Sequence, residues 1–112
     1  MDTSIEYVMI VIAAPREAGR DLARLLVREK AAACVQITSP VTSIYTWEGR
    51  THEETEVLLF VKTASRKIAA IKELVSVRHP YQVPELIVLP ITAGNETYFR
   101  WMDEVLNERP GK

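Results

Sequence analysis

Two histidines, one cysteine and a lysine closing an apolar run are the residues of this chain with the most chemistry to offer. His79 lies in Arg78-His79-Pro80-Tyr81-Gln82-Val83-Pro84-Glu85, where two prolines bracket the loop. Each proline drives the residue before it out of helical geometry, so His79 and Val83 are expected to be extended and a helix to stop at about Arg78. The plain reading of this stretch is a stiff connector between a helix and a strand, and the sharper one is a ligand site, since imidazole suits copper and zinc. His52 stands with Glu48, Glu53, Glu54 and Glu56. That acidic group reads as a solvated hairpin tip or, at most, a loose carboxylate site for hard cations.

Cys34 is a soft ligand in principle, but after three alanines it reads more simply as a small buried hydrophobe. A single cysteine makes no intramolecular disulfide, which fits a reducing cytosol. Lys62 ends an apolar strand, where either an anion or water would satisfy it. Tyr45, Trp47 and Tyr81 could line a pocket between subunits, although aromatics at strand spacing also serve as core or interface packing. Arg16, Arg20, Arg24 and Arg28 recur every fourth residue, yet Glu17, Asp21 and Glu29 interleave with them, so a solvated face of weak ion pairs explains them better than a phosphate grip. The sequence holds no phosphate-cradling glycine loop, no His-Glu-x-x-His, no Cys-x-x-Cys and no nucleophile elbow. We therefore expect neither catalysis nor an organic cofactor.

The elements that must position these residues follow from pattern. At 112 residues, 47% of them hydrophobic, the chain can bury one core, so residues 1–112 are read as one domain. Fourteen basic against fifteen acidic residues leave a net charge of -1, which argues against nucleic-acid and membrane-surface partners. The apolar run Val8 to Ala14 is too short to span a bilayer, and no basic residue precedes it as in a signal peptide.

Tyr7 to Ala13 predicts a strand buried on both faces, and Ala18, Leu22, Leu25 and Leu26 mark a helix running from Pro15 to about Lys30. A long strand, interrupted at Pro40, follows from Ala31 to Glu48; Glu48-Gly49-Arg50 reverses the chain into a third strand, Thr51 to Lys62. Ser65 is placed as the cap of a second helix facing inward through Ile68, Ile71, Leu74 and Val75. Leu86 to Ile91 is the fourth strand, and Asn95 or Thr97 starts a last helix whose apolar face is Tyr98, Phe99, Trp101, Met102, Val105 and Leu106. Pro110 to Lys112 reads as a frayed tail.

Strand, helix, strand, strand, helix, strand is the α+β, ferredoxin-like β-α-β-β-α-β arrangement, an antiparallel sheet of order 4-1-3-2, here with a C-terminal helix added. Pro40 and Pro90 fit strands two and four at the edges of such a sheet. Two helices cover one sheet face only, yet strands one, three and four are apolar on both, so we expect a homo-oligomer.

Tyr45-Thr46-Trp47-Glu48-Gly49, the strand Glu56 to Thr63 ending in Lys62-Thr63, Ala32-Ala33-Cys34-Val35 and above all His79-Pro80-Tyr81-Gln82-Val83-Pro84-Glu85 resemble the CutA divalent-cation-tolerance family over nearly the whole chain. The resemblance implies a ferredoxin-like protomer in a tight homotrimer, cytoplasmic in bacteria, associated with tolerance of copper and other divalent metals and without established catalysis. Of the family's proposed metal ligands, the position of a cysteine late in strand one holds Ile12 and that of a first histidine holds Arg78, leaving His79 alone matched. One imidazole per chain implies weak binding of copper or another divalent metal. A pocket between subunits is read from Cys34, Trp47, Lys62, Tyr81 and Glu85. The implied function is a non-enzymatic metal-tolerance trimer; the alternative is a trimeric regulatory or assembly protein sensing a small molecule or protein partner in that pocket.

Overall fold

In the computed structural model, which describes residues 6–107, strand β1 (Tyr7–Ala14) alternates between two environments. Val8, Ile10 and Ile12 are sealed while Tyr7, Met9 and Val11 are half-buried, the period of two expected of a strand. β1 pairs antiparallel with β4 (Arg50–Ala64) on one side and with β5 (Leu86–Ile91) on the other. β2 (Cys34–Ile37) adds to the far side of β4, so the sheet runs β2-β4-β1-β5. The long interrupted strand of the sequence reading is two strands: after β2 the chain breaks at Pro40, and β3 (Val41–Trp47) pairs only with the first half of β4. A ribbon thus extends from the sheet, closed at Trp47↔Arg50 by a two-residue turn in which Glu48 and Gly49 have φ of 53° and 79°. Both angles are positive, as a type I′ hairpin turn requires.

Helices α1 (Arg16–Arg28) and α2 (Ile68–Arg78) cover one sheet face, where Leu22, Leu26, Ile71 and Val75 meet Ile10, Ile12, Leu59 and Val61. Burying each such side chain is worth about 1.5–3 kcal/mol. The four arginines of α1 are exposed, in keeping with a solvated face. Ser65 is corrected from helix cap to first residue of a single 3₁₀ turn (Ser65–Lys67) that leads into α2; the N-cap positions are Ala64 and Lys67.

The second sheet face is covered at one end by α3 (Glu96–Leu106), capped by Asn95, whose side chain accepts from the Thr97 amide at 3.0 Å. Met102 and Leu106 pack on Ala33 and Ala64, and Tyr7 stacks on Phe99 at 4.4 Å while donating its hydroxyl to Asp103 at 2.8 Å. The predicted apolar stripe is wider than the buried one: Tyr98 and Trp101 are exposed and lean on each other. Beyond α3 the face presents Met9, Val11, Leu58 and Phe60 half-buried, and Ile87 and Leu89 exposed on edge strand β5. The tail Pro110 to Lys112 lies outside the described residues.

Helix α1 ends in a Schellman motif: the Lys30 amide bonds Val27 O at 3.1 Å and the Ala31 amide bonds Leu26 O at 2.9 Å. Lys30 occupies the left-handed position with φ of 60°, where a side chain is strained and glycine is not. Lys30→Gly is therefore expected to raise the free energy of unfolding by about 0.5–1 kcal/mol in a urea titration, a gain that Lys30→Val would turn into a loss.

Candidate functional site

α2 ends at Arg78, and its C-cap is His79, the residue before Pro80, with φ of -77° and ψ of 137°. The extended geometry is what proline imposes on its neighbour. It turns the imidazole inward, where it is 8% exposed, beneath the end of β1. Nε2 lies 2.7 Å from Ala13 O, and Nδ1 is 3.1 Å from the Tyr81 amide nitrogen. A carbonyl only accepts and an amide only donates, so these partners select one state: neutral imidazole with the proton on Nε2. Binding a metal through either nitrogen requires giving up one of the two bonds.

The loop so anchored places Tyr81 beside His79, ring centroids 4.7 Å apart, and lets its hydroxyl donate to Glu56 Oε2 at 2.8 Å. Glu56 is not part of a solvated hairpin tip. It pairs with Val41 at the root of the ribbon and is 7% exposed, with Tyr81 folded over it. Burial first, then the bond to Glu56, pushes the Tyr81 phenol far above its ordinary value of 10.0. Tyr45 is also raised, first by desolvation and then by Glu54 and Glu56, and its ring stacks on His52 at 5.5 Å.

Between the ribbon and the loop lies an open cleft of about 620 Å³. Alternate ribbon residues Ser43, Tyr45 and Trp47 form one wall with Ile44; Glu56 and Ala13 form the floor; Tyr81, Gln82, Val83 and Glu85 form the other wall. Of the residues read from sequence as a pocket between subunits, Trp47, Tyr81 and Glu85 meet here within one protomer. Cys34 and Lys62 do not line this cleft. They face each other across β2 and β4 on the partly covered sheet face, where Lys62 Nζ donates to Gln36 and Cys34, half-buried rather than sealed, contacts the Tyr98 hydroxyl. Sequence reasoning missed Glu56 as a buried group, as well as Ser43 and Gln82. Among the described residues no three His, Cys, Asp or Glu side chains of the protomer converge to hold a metal.

Comparison with known proteins gives a consistent result. A family model described as CutA1 divalent ion tolerance protein matches residues 7–105. The chain is 48% identical over 90 residues to a CutA homolog of Xenopus laevis, a match covering 80% of this chain and 60% of that protein. It is 43% identical over 100 residues to the divalent-cation tolerance protein CutA of Thermus thermophilus, covering 89% and 97% respectively. The crystal structure of CutA1 from Oryza sativa superposes with a TM-score of 0.89 at 38% identity, over 96% of this chain and all of that one. A rice relative, 38% identical over 107 residues, is named as chloroplastic, and the chain spans 60% of its length.

If His79 is the anchor of the cleft wall, His79→Ala takes the imidazole from a buried carbonyl and a part-buried amide, at about 1–3 kcal/mol. Hydrogen exchange of residues 80–85 should then quicken well before that of β1 and β4. Equal acceleration across the sheet would show that the histidine holds the fold and not the loop.

Proposed function

This chain belongs to the CutA1 divalent ion tolerance family, and on that premise we propose that it acts, without catalysis, as a homotrimer in tolerance of divalent cations, copper among them. The family match over residues 7–105 carries this reading. Support for association comes from the sheet: Met9, Val11, Leu58 and Phe60 with Ile87 and Leu89 make an apolar surface that α3 leaves open, ending at edge strand β5, whose outer backbone groups have no strand neighbour among the described residues. The proposed location is the cytoplasm, on the strength of a single cysteine; no helix among the described residues is long and apolar enough to cross a membrane. A domain of this size with one sheet serves as the unit of assembly.

Metal contact in this proposal runs through His79 and is weak. Ile12 is sealed in the core at the strand-one ligand position, Arg78 brings a positive charge to the other, and His79 must forgo a hydrogen bond to ligate. A second reading, favoured by the cleft between the ribbon and the loop, is a regulatory trimer that senses a small molecule there. At about 620 Å³ it lies in the range of small-molecule sites.

Sedimentation velocity should give one species near three times 12.7 kDa; a folded monomer persisting at high micromolar concentration would remove the trimer. Calorimetry of the intact assembly with copper(II) and zinc(II) should give dissociation constants on the order of micromolar or weaker. The affinity should be largely lost in His79→Ala. Tight binding that survives His79→Ala would move the metal to another site.

A further inference from the structure

We propose that the cleft between the β3–β4 ribbon and the 81–85 loop binds a small organic cation, a protonated amine or guanidinium carried on an apolar body. The inference rests on the second reading above, that this cleft is a ligand site, and assigns the class of molecule it takes.

Charge is the first argument. Glu56 is a carboxylate more than nine-tenths buried, and its hydrogen-bond partner among the described residues is the neutral hydroxyl of Tyr81. None of the residues lining the cleft is basic. Glu85 adds a second carboxylate to the rim, and Glu54 lies on the same ribbon face as Glu56, two residues away. A buried carboxylate held by a neutral donor gains from a cation entering from the cleft.

The aromatic residues are the second argument. Tyr45, Trp47 and Tyr81 line the same space and are 42%, 40% and 36% exposed, so large parts of their rings face solvent in the protomer. Aromatic faces beside carboxylates attract cations with an apolar body, through ring quadrupole and area burial together. A bare divalent ion asks for something else: several oxygens at coordination distance, which two separated carboxylates do not offer, and no group of three ligating side chains occurs among the described residues. An anion is opposed by Glu54, Glu56 and Glu85 alike. The Tyr45 and Tyr81 phenols are raised first by burial and then by Glu54 and Glu56.

The test uses three probes of one shape and three charges: benzylammonium, benzyl alcohol and benzoate, added to the intact protein in chelator-treated buffer. Binding is read from the indole N–H resonance of Trp47, with Trp101, which lies on α3 and lines no part of the cleft, as the internal control. Benzylammonium should shift Trp47 and not Trp101, bind at least about tenfold more tightly than benzyl alcohol, and weaken with added salt. Benzoate should bind least. Glu56→Gln, which keeps an acceptor for Tyr81, should bring the amine close to the alcohol; Glu85→Gln, at an exposed rim position, should reduce the preference by a smaller factor and guards against a Glu56 variant that misfolds. Equal binding of amine and alcohol, or tighter binding of benzoate, overturns the cation assignment while leaving the cleft a ligand site. If a folded protein shows no Trp47 shift with any of the three, the ligand-site reading falls with it.

Discussion

A buried imidazole has two nitrogens to satisfy, and in this fold the satisfaction of His79 determines where the loop after α2 can go. Both partners are backbone groups from different places, Ala13 O at the end of β1 and the Tyr81 amide in the loop itself. The histidine therefore ties helix end, strand end and loop together at one point. Tyr81 is carried by the same bond to where its hydroxyl reaches Glu56 on β4. Loop, sheet and ribbon root are joined by a short chain of hydrogen bonds in a partly dehydrated place, where such bonds reinforce one another and a missing member is costly.

The same commitment limits what His79 does with metals. A nitrogen that holds a strand carbonyl is poorly placed to be a ligand, and Arg78 and Ile12 supply no second or third donor in the protomer. Membership of a family named for divalent ion tolerance and a histidine tied into its own protomer are compatible when the metal contact is weak or the protein's effect is exerted through the cleft that the histidine shapes. The cleft itself depends on the ribbon, because Tyr45 and Trp47 are presented by a strand that, among the described residues, pairs with β4 alone.

Much of the fold was legible in sequence because the signals were local. Leu86–Ile91 is a strand at the residues its apolar run indicated, α2 stops where Pro80 requires, and Asn95 caps α3. What was not legible depended on contacts between residues distant in the chain. Glu56 follows Glu53, Glu54 and Thr55 and reads as the end of a polar tip; it is buried because residue 81 folds over it, which no local pattern encodes. Tyr98 and Trp101 belong to the apolar stripe by spacing, but the small sheet leaves α3 room to bury only Met102 and Leu106 fully. Cys34 and Lys62, read from sequence with Trp47 and Tyr81 as a pocket between subunits, sit within the protomer on the sheet face that α3 partly covers, where β-strand register places them.

The claim on which the account turns is that His79 is a neutral, doubly bonded anchor. Its two imidazole ¹⁵N shifts, measured near neutral pH in chelator-treated buffer, test that directly. One protonated nitrogen, Nε2, and one accepting nitrogen, Nδ1, are expected. Rapid averaging of the two nitrogens, or a proton on Nδ1, would contradict it.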